Sequence, residues 1–219
     1  MEAFVKNLIY IHAFLGGIGL LSGLASIYFR KGNSQHKKSG KIFSIAMISS
    51  SLFSLIIARM PNHENTFLFL IGLFTIYMIL AGNRSLTFKG NLKYEADKTD
   101  KIISGTMLVI SIVMLVLGAL GMIQKVEGSI LYVFFGGLGL FMSLNDFKNF
   151  KKYKTEKTLW LKSHIGRMLG ALIASFTAFL VAGLHFSEVF YWITPTVLGT
   201  VYIIYWVKKV DKPNALTTK

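Results

Sequence analysis

Histidine is the residue type in this chain best suited to chemistry. His12 falls about one turn inside the outer end of a long apolar stretch, and His185 closes a later stretch on the same side. His36 and His164 stand at the opposite, inner ends of two such stretches. An imidazole nitrogen coordinates haem iron or a metal ion, and a histidine pair toward each membrane surface would suit two b-type haems, each held by rings from different helices. His164 and His185 are 21 residues apart, which is about 31 Å along a helix and about 60° around it, so both can face one interior. With no cysteine in the chain, thiolate nucleophiles, iron–sulfur clusters and Cys-based zinc sites are excluded, and any cofactor falls to His, carboxylate, Tyr or backbone.

A plainer role for the same histidines stays open. A ring at a helix end caps carbonyls or meets lipid phosphate, and Lys37, Lys38 and Arg167 beside the inner pair fit the latter. His63, in the short outer turn Pro61 to Asn65, can join an outer metal site or simply be solvated. Tyr77, Tyr202, Tyr132 and Arg167 are the candidates for cavity or anion contacts. No Walker sequence, G-x-S-x-G or H-E-x-x-H occurs, so no catalytic residue is assigned and the chain leans away from an enzyme. The centres of the apolar stretches also lack Asp, Glu, Lys and Arg, which weighs against a carboxylate-based proton pump.

The elements that position these residues are membrane helices. Hydrophobic residues make up 53% of the 219 positions, and seven segments approach the roughly 20 apolar residues that span a bilayer. They run about Leu8 to Phe29, Ile42 to Met60, Thr66 to Gly82, Ile102 to Ile123, Ile130 to Leu144, Met168 to His185 and Val189 to Val207. The first is too long for a secretory signal and is read as a retained helix. Net charge is +14, and 21 of the 24 Lys and Arg fall in the loops and tail of one side, leaving Lys6, Arg59 and Lys125 on the other. That asymmetry predicts the N-terminus outside and the C-terminus inside, which requires an odd number of spans. The basic loops thus read as a topology signal in contact with anionic lipid at the inner face, rather than as a nucleic-acid surface.

The chain also repeats itself. Phe14-Leu15-Gly16-Gly17-Ile18-Gly19-Leu20 recurs as Phe134-Phe135-Gly136-Gly137-Leu138-Gly139-Leu140. A His before a Gly-basic-apolar step begins the second and sixth spans (His36 with Gly40-Lys41-Ile42, His164 with Gly166-Arg167-Met168), and Thr75-Ile76-Tyr77 matches Thr200-Val201-Tyr202. The expected fold class is an all-α integral membrane domain of seven helices, N-out and C-in. It comprises one three-helix repeat at about 8–83, a linker helix at about 102–123, a parallel second repeat at about 130–207 and a flexible polar tail at 211–219. His12, Gly16, Gly19 and Gly23 share one face of the first helix; Tyr132, Gly136, Gly139 and Ser143 share the matching face of the fifth. Gly166, Gly170, Ala174, Ala178 and Ala182 form a four-residue ladder on the sixth.

His12-x-x-x-Gly16, the His36 to Gly40 step and His164-Ile165-Gly166-Arg167 resemble the motifs of an uncharacterised family of small bacterial multi-pass membrane proteins. The resemblance implies a bacterial cytoplasmic-membrane location and transfers no activity. The three-plus-one-plus-three topology looks like that of the SWEET and PQ-loop transporters, although no Pro-Gln dipeptide occurs here. The specific functional expectation is a His-ligated haem or metal in a redox or electron-transfer role. A small-solute or lipid transporter and a non-catalytic subunit or scaffold stay open as alternatives, as does a homo-oligomeric or membrane-complex partner.

Overall fold

A computed structural model describes residues 2–91, 93–186 and 188–211, apart from the side chains of 91, 182, 189, 192 and 193. Among the described residues there are seven α-helices and no strand: α1 (Glu2–Tyr28), α2 (Ser34–Ile57), α3 (Thr66–Ser85), α4 (Lys98–Ile123), α5 (Ser129–Lys152), α6 (Leu159–Ala178) and α7 (Val189–Val210). Six of them, all but α7, are long and apolar enough to cross a membrane. The seventh has 22 residues, with Pro195 inside and Lys208 and Lys209 in its last turn. The tail expected at 211–219 lies outside the described residues beyond Asp211.

Helices outrun their apolar cores at the end where the basic residues lie. The second begins at Ser34, eight residues before Ile42; the fifth continues to Lys152, eight beyond Leu144; the sixth begins at Leu159, nine before Met168. Backbone hydrogen bonding continues where hydrophobicity stops, because polar side chains tolerate helix wherever water is near. His36 therefore sits in the first turn of α2 and His164 in the second turn of α6, rather than in loops. At its other end α6 loses regularity at Ala178 and continues as a π turn, Phe179–Gly183.

The chain falls into two compact units, Met1–Ile79 with Gly166–Lys209, and Leu80–Ile165 with Val210–Lys219. Within the first unit α1 and α2 form an antiparallel hairpin. The glycine face of α1 makes its seam: a Cβ on Gly19 would lie 2.7 Å from Met47 Sδ, and one on Gly23 would lie 2.7 Å from Leu172 and 3.0 Å from Phe43. Hydrocarbon tails solvate apolar side chains as well as a neighbouring helix does, so close backbone approach and dense contact are what favour this pairing.

Within the second unit α4 and α5 form the other hairpin. The buried residues of α4, namely Asp100, Ser104, Met107, Ser111, Met114 and Gly118, recur every three or four positions and make one stripe. Gly136, Gly139, Ser143 and Asp146 make the buried stripe of α5. The register is set by reciprocal notches, since Gly118 lies against Tyr132 and Val133 while Gly136 lies against Met114 and Leu115. Ser111 and Ser143 are fully buried, and each hydroxyl donates to a carbonyl of its own helix, so neither is left unsatisfied in an apolar seam.

The small-residue faces expected on the first and fifth helices are thus both at seams, but with different partners. That of α1 meets the helix that follows it; that of α5 meets the helix that precedes it. On α6 the buried positions include Ala171 and Leu172, while a Cβ on Gly166, the first rung of the expected ladder, would meet nothing within 4 Å.

Candidate functional site

Three of the four candidate histidines are held in the same way. His12 Nδ1 lies 2.9 Å from the Ser50 carbonyl oxygen, His36 Nδ1 lies 2.9 Å from that of Ser26, and His164 Nδ1 lies 2.9 Å from that of Gly82. A carbonyl oxygen only accepts, so Nδ1 carries the proton in each ring and Nε2 of the neutral imidazole carries the lone pair. This is the tautomer in which histidine coordinates a metal through Nε2, with the other nitrogen fixed by a backbone carbonyl.

The carbonyls differ in kind. Ser50 lies within α2, and its hydroxyl donates back to the His12 carbonyl at 2.9 Å, so the two residues clasp α1 to α2 in both directions. Ser26 lies in the last turn of α1, where carbonyls lack intrahelical donors, whereas Gly82, in the last turn of α3, also accepts from the Ser85 hydroxyl at 2.7 Å. His36 shares the end of α1 with Lys31, whose ammonium donates to Ser26 at 3.2 Å and also to Ile27. Cationic and N–H donors at a helix C-terminus offset its negative dipole end. The side chain of Asn33 caps α2 by accepting the His36 backbone N–H at 2.7 Å.

His185 is exposed, with a left-handed φ of 58°, just beyond the π turn. His63 is exposed in the outer turn. Among the described residues no group of three or more His, Asp or Glu is arranged to hold a metal ion. Arg167 is 9% exposed, with its guanidinium 5.5 Å from the ring of Tyr77, itself 4% exposed. Tyr202 is half-buried and lies edge-on to Trp206 at 6.2 Å. Tyr132 is half-buried against Gly118 in the α4–α5 seam. Tyr77 and Tyr202, matched by the expected repeat, therefore occupy unlike surroundings.

The strongest polar constellation was not anticipated. Arg84, at the end of α3, donates through Nε to Asp100 at 2.7 Å and through Nη2 to Asp97 at 2.5 Å. Lys93 bridges the same two carboxylates, at 2.8 Å from Asp97. Asp97 is also the N-cap of α4, in a reciprocal capping box with Asp100. The signal was present in the sequence as Asp97-x-x-Asp100 ahead of an apolar run. Lys93 above all, then the Asp100 backbone N–H and Arg84, hold the Asp97 carboxyl well below the usual carboxylate range. Asp146 accepts a hydrogen bond from Ser104 at 3.0 Å, and Lys162 pairs with Asp211.

Chemically, the anchored rings can ligate and the carboxylate clamp can only hold, since both of its acids are engaged by cations. No protein-family model, curated protein or solved structure matches the chain.

Proposed function

We propose that this is a multi-pass protein of a bacterial cytoplasmic membrane, N-out and C-in with all seven helices spanning, that binds haem or a metal ion through histidine Nε2 in a redox role. The observation that carries the reading is the common anchoring of His12, His36 and His164 through Nδ1 to a backbone carbonyl. A ring fixed in that tautomer is pre-oriented, so coordination costs little further ordering. His185, one exposed imidazole on the outer side, is the remaining candidate ligand. Sequence likeness between helices 1–3 and 5–7 supports a parallel repeat, and the basic loops support contact with anionic lipid at the inner face.

Absorption spectra of the purified protein, oxidised and then reduced, test the haem version, and elemental analysis tests the metal version. A Soret band that shifts on reduction and weakens in His12→Gln or His36→Gln is the expected result. Absence of the band after expression with adequate haem supply, together with no bound transition metal, sinks the reading.

A second reading has its own observation: His36 and His164 sit on last-turn carbonyls, a role complete without any ligand. Histidine is then a helix-end clasp in a non-catalytic scaffold. A Gln at these positions retains an N–H donor for the carbonyl, so unchanged stability and an unchanged spectrum in His36→Gln and His164→Gln would favour the clasp.

A further inference from the structure

We propose that the inner end of the second unit binds the phosphate of an anionic phospholipid headgroup between the ammonium of Lys89 and the indole N–H of Trp160. The inference rests on the membrane orientation proposed above.

Lys89 Nζ lies 5.8 Å from the Trp160 ring centroid. The two residues are carried by neighbouring parts of one rigid cluster. Phe88, immediately before Lys89, stacks on Tyr153 with centroids 4.0 Å apart, and Phe88, Tyr153 and Leu159 are buried together with Trp160 packed against them. The segments that carry the pair are thereby held side by side, which lessens the ordering a ligand must impose.

Neither polar group is used by the fold. Among the described residues Lys89 has no carboxylate partner, whereas Lys93, Lys152 and Lys162 each have one. Among the described residues Trp160 Nε1 has no acceptor, and it is absent from the buried unpartnered atoms, so it keeps some contact with the surface. Lys154 and Lys157, in the turn leading to Trp160, are exposed and likewise without a carboxylate. Lysines that hold the loops together are thus neutralised, while those around Trp160 leave a net positive field.

A tryptophan with its ring on an apolar cluster and its N–H outward matches the headgroup depth of a bilayer. A monoanionic phosphodiester offers oxygens to both Lys89 and the indole N–H, and the surrounding lysines favour a lipid whose headgroup adds no compensating positive charge.

The test uses the full chain in uncharged detergent, titrated with phosphatidylglycerol, phosphatidylcholine or inorganic phosphate while thermal unfolding is followed. Phosphatidylglycerol should raise the unfolding temperature at concentrations where the other two do not. Lys89→Gln should shift the titration midpoint about fivefold, the effect of one basic residue at an anionic surface, and Trp160→Phe, which keeps the ring and loses the N–H, should also weaken it. Lys125→Gln, on the opposite side, should change nothing. Equal effects of the two lipids, or wild-type titration by both site variants, would overturn the site, and an equal effect of inorganic phosphate would overturn the lipid as its ligand. Orientation is read separately by labelling Lys154→Cys, the sole thiol, from either side of sealed vesicles. Labelling from the outer side alone would sink the orientation without altering the titration.

Discussion

The hairpins α1–α2 and α4–α5 are both closed by small residues, and they are built differently. In the first, the notches stand on α1 at Gly19 and Gly23 and the bulk comes from outside it, as Met47, Phe43 and Leu172. In the second, each helix supplies a notch and a knob, so Gly118 receives Tyr132 and Val133 while Gly136 receives Met114 and Leu115. The polar locks differ too. A neutral two-way clasp joins His12 and Ser50, whereas a serine hydroxyl donates to a buried carboxylate between Ser104 and Asp146. The comparison teaches that a small-residue face states only that something comes close. It does not say which helix, and α1 and α5, nearly identical over seven residues, are covered from opposite directions in the chain.

Overpacking the notches should have the largest effect. Gly19→Leu and Gly118→Leu place atoms where a Cβ alone already meets a neighbour at 2.7 Å, and each should cost about 1–3 kcal/mol or prevent assembly. Gly137→Leu, with nothing within 4 Å of its Cβ, should leave thermal stability in detergent near that of the parent. If Gly137→Leu proved as damaging as Gly118→Leu, the asymmetric use of the glycines on α5 would be wrong.

A smaller effect separates the locks. Ser104→Ala removes a donor from the buried Asp146 carboxylate, and hydrogen bonds to charged groups contribute about 1.5–3 kcal/mol. Ser50→Ala removes the hydroxyl that meets both the His12 carbonyl and its Nδ1, while His12 keeps the Ser50 carbonyl, so the loss should be near the 0.6 kcal/mol or so typical between membrane helices. Denaturation of the two variants side by side checks the order, and a reversal would show that the charge of Asp146 is not what makes the second lock the stronger.

Much of this was legible in the sequence, and the limits are physical. Apolar length located every helix, because a spanning backbone must satisfy its own hydrogen bonds. It misplaced the basic-side ends at Ser34, Lys152 and Leu159, because hydropathy marks where lipid is tolerated and not where helix stops. The glycine face of α1 was read correctly as a seam. The fourth helix was read as a linker because it falls between the two expected repeats, and spacing alone did not show that its Ser, Met and Gly stripe packs on α5. Histidine spacing brought His12, His36 and His164 to attention, but the Nδ1 anchors depend on which carbonyls end nearby, which one chain's spacing does not encode. The Arg84, Lys93, Asp97 and Asp100 clamp was missed because Arg84 and Lys93 were counted for topology and not weighed against Asp97 and Asp100.

The smallest expected effect is also the one that distinguishes the two hairpins without mutation. Asp97 caps α4 and is held low by Lys93, so its contribution is complete above the ordinary carboxylate pKa of about 4 and is lost as pH falls from there toward the depressed folded value. Its side chain is 48% exposed, so solvent screening keeps the effect modest. The His12 clasp behaves otherwise, because Nδ1–H donates to the Ser50 carbonyl whether or not Nε2 is protonated. Acidification below about pH 4 should therefore lower amide protection in the first turn of α4, where Asp100 N–H donates to Asp97 at 3.0 Å, before it lowers protection along the α1–α2 seam. Lys93→Met should move that onset to higher pH by returning Asp97 toward its ordinary titration. Simultaneous loss in both hairpins, or an onset indifferent to Lys93, would mean that the clamp adds nothing to the α4 terminus beyond its backbone cap.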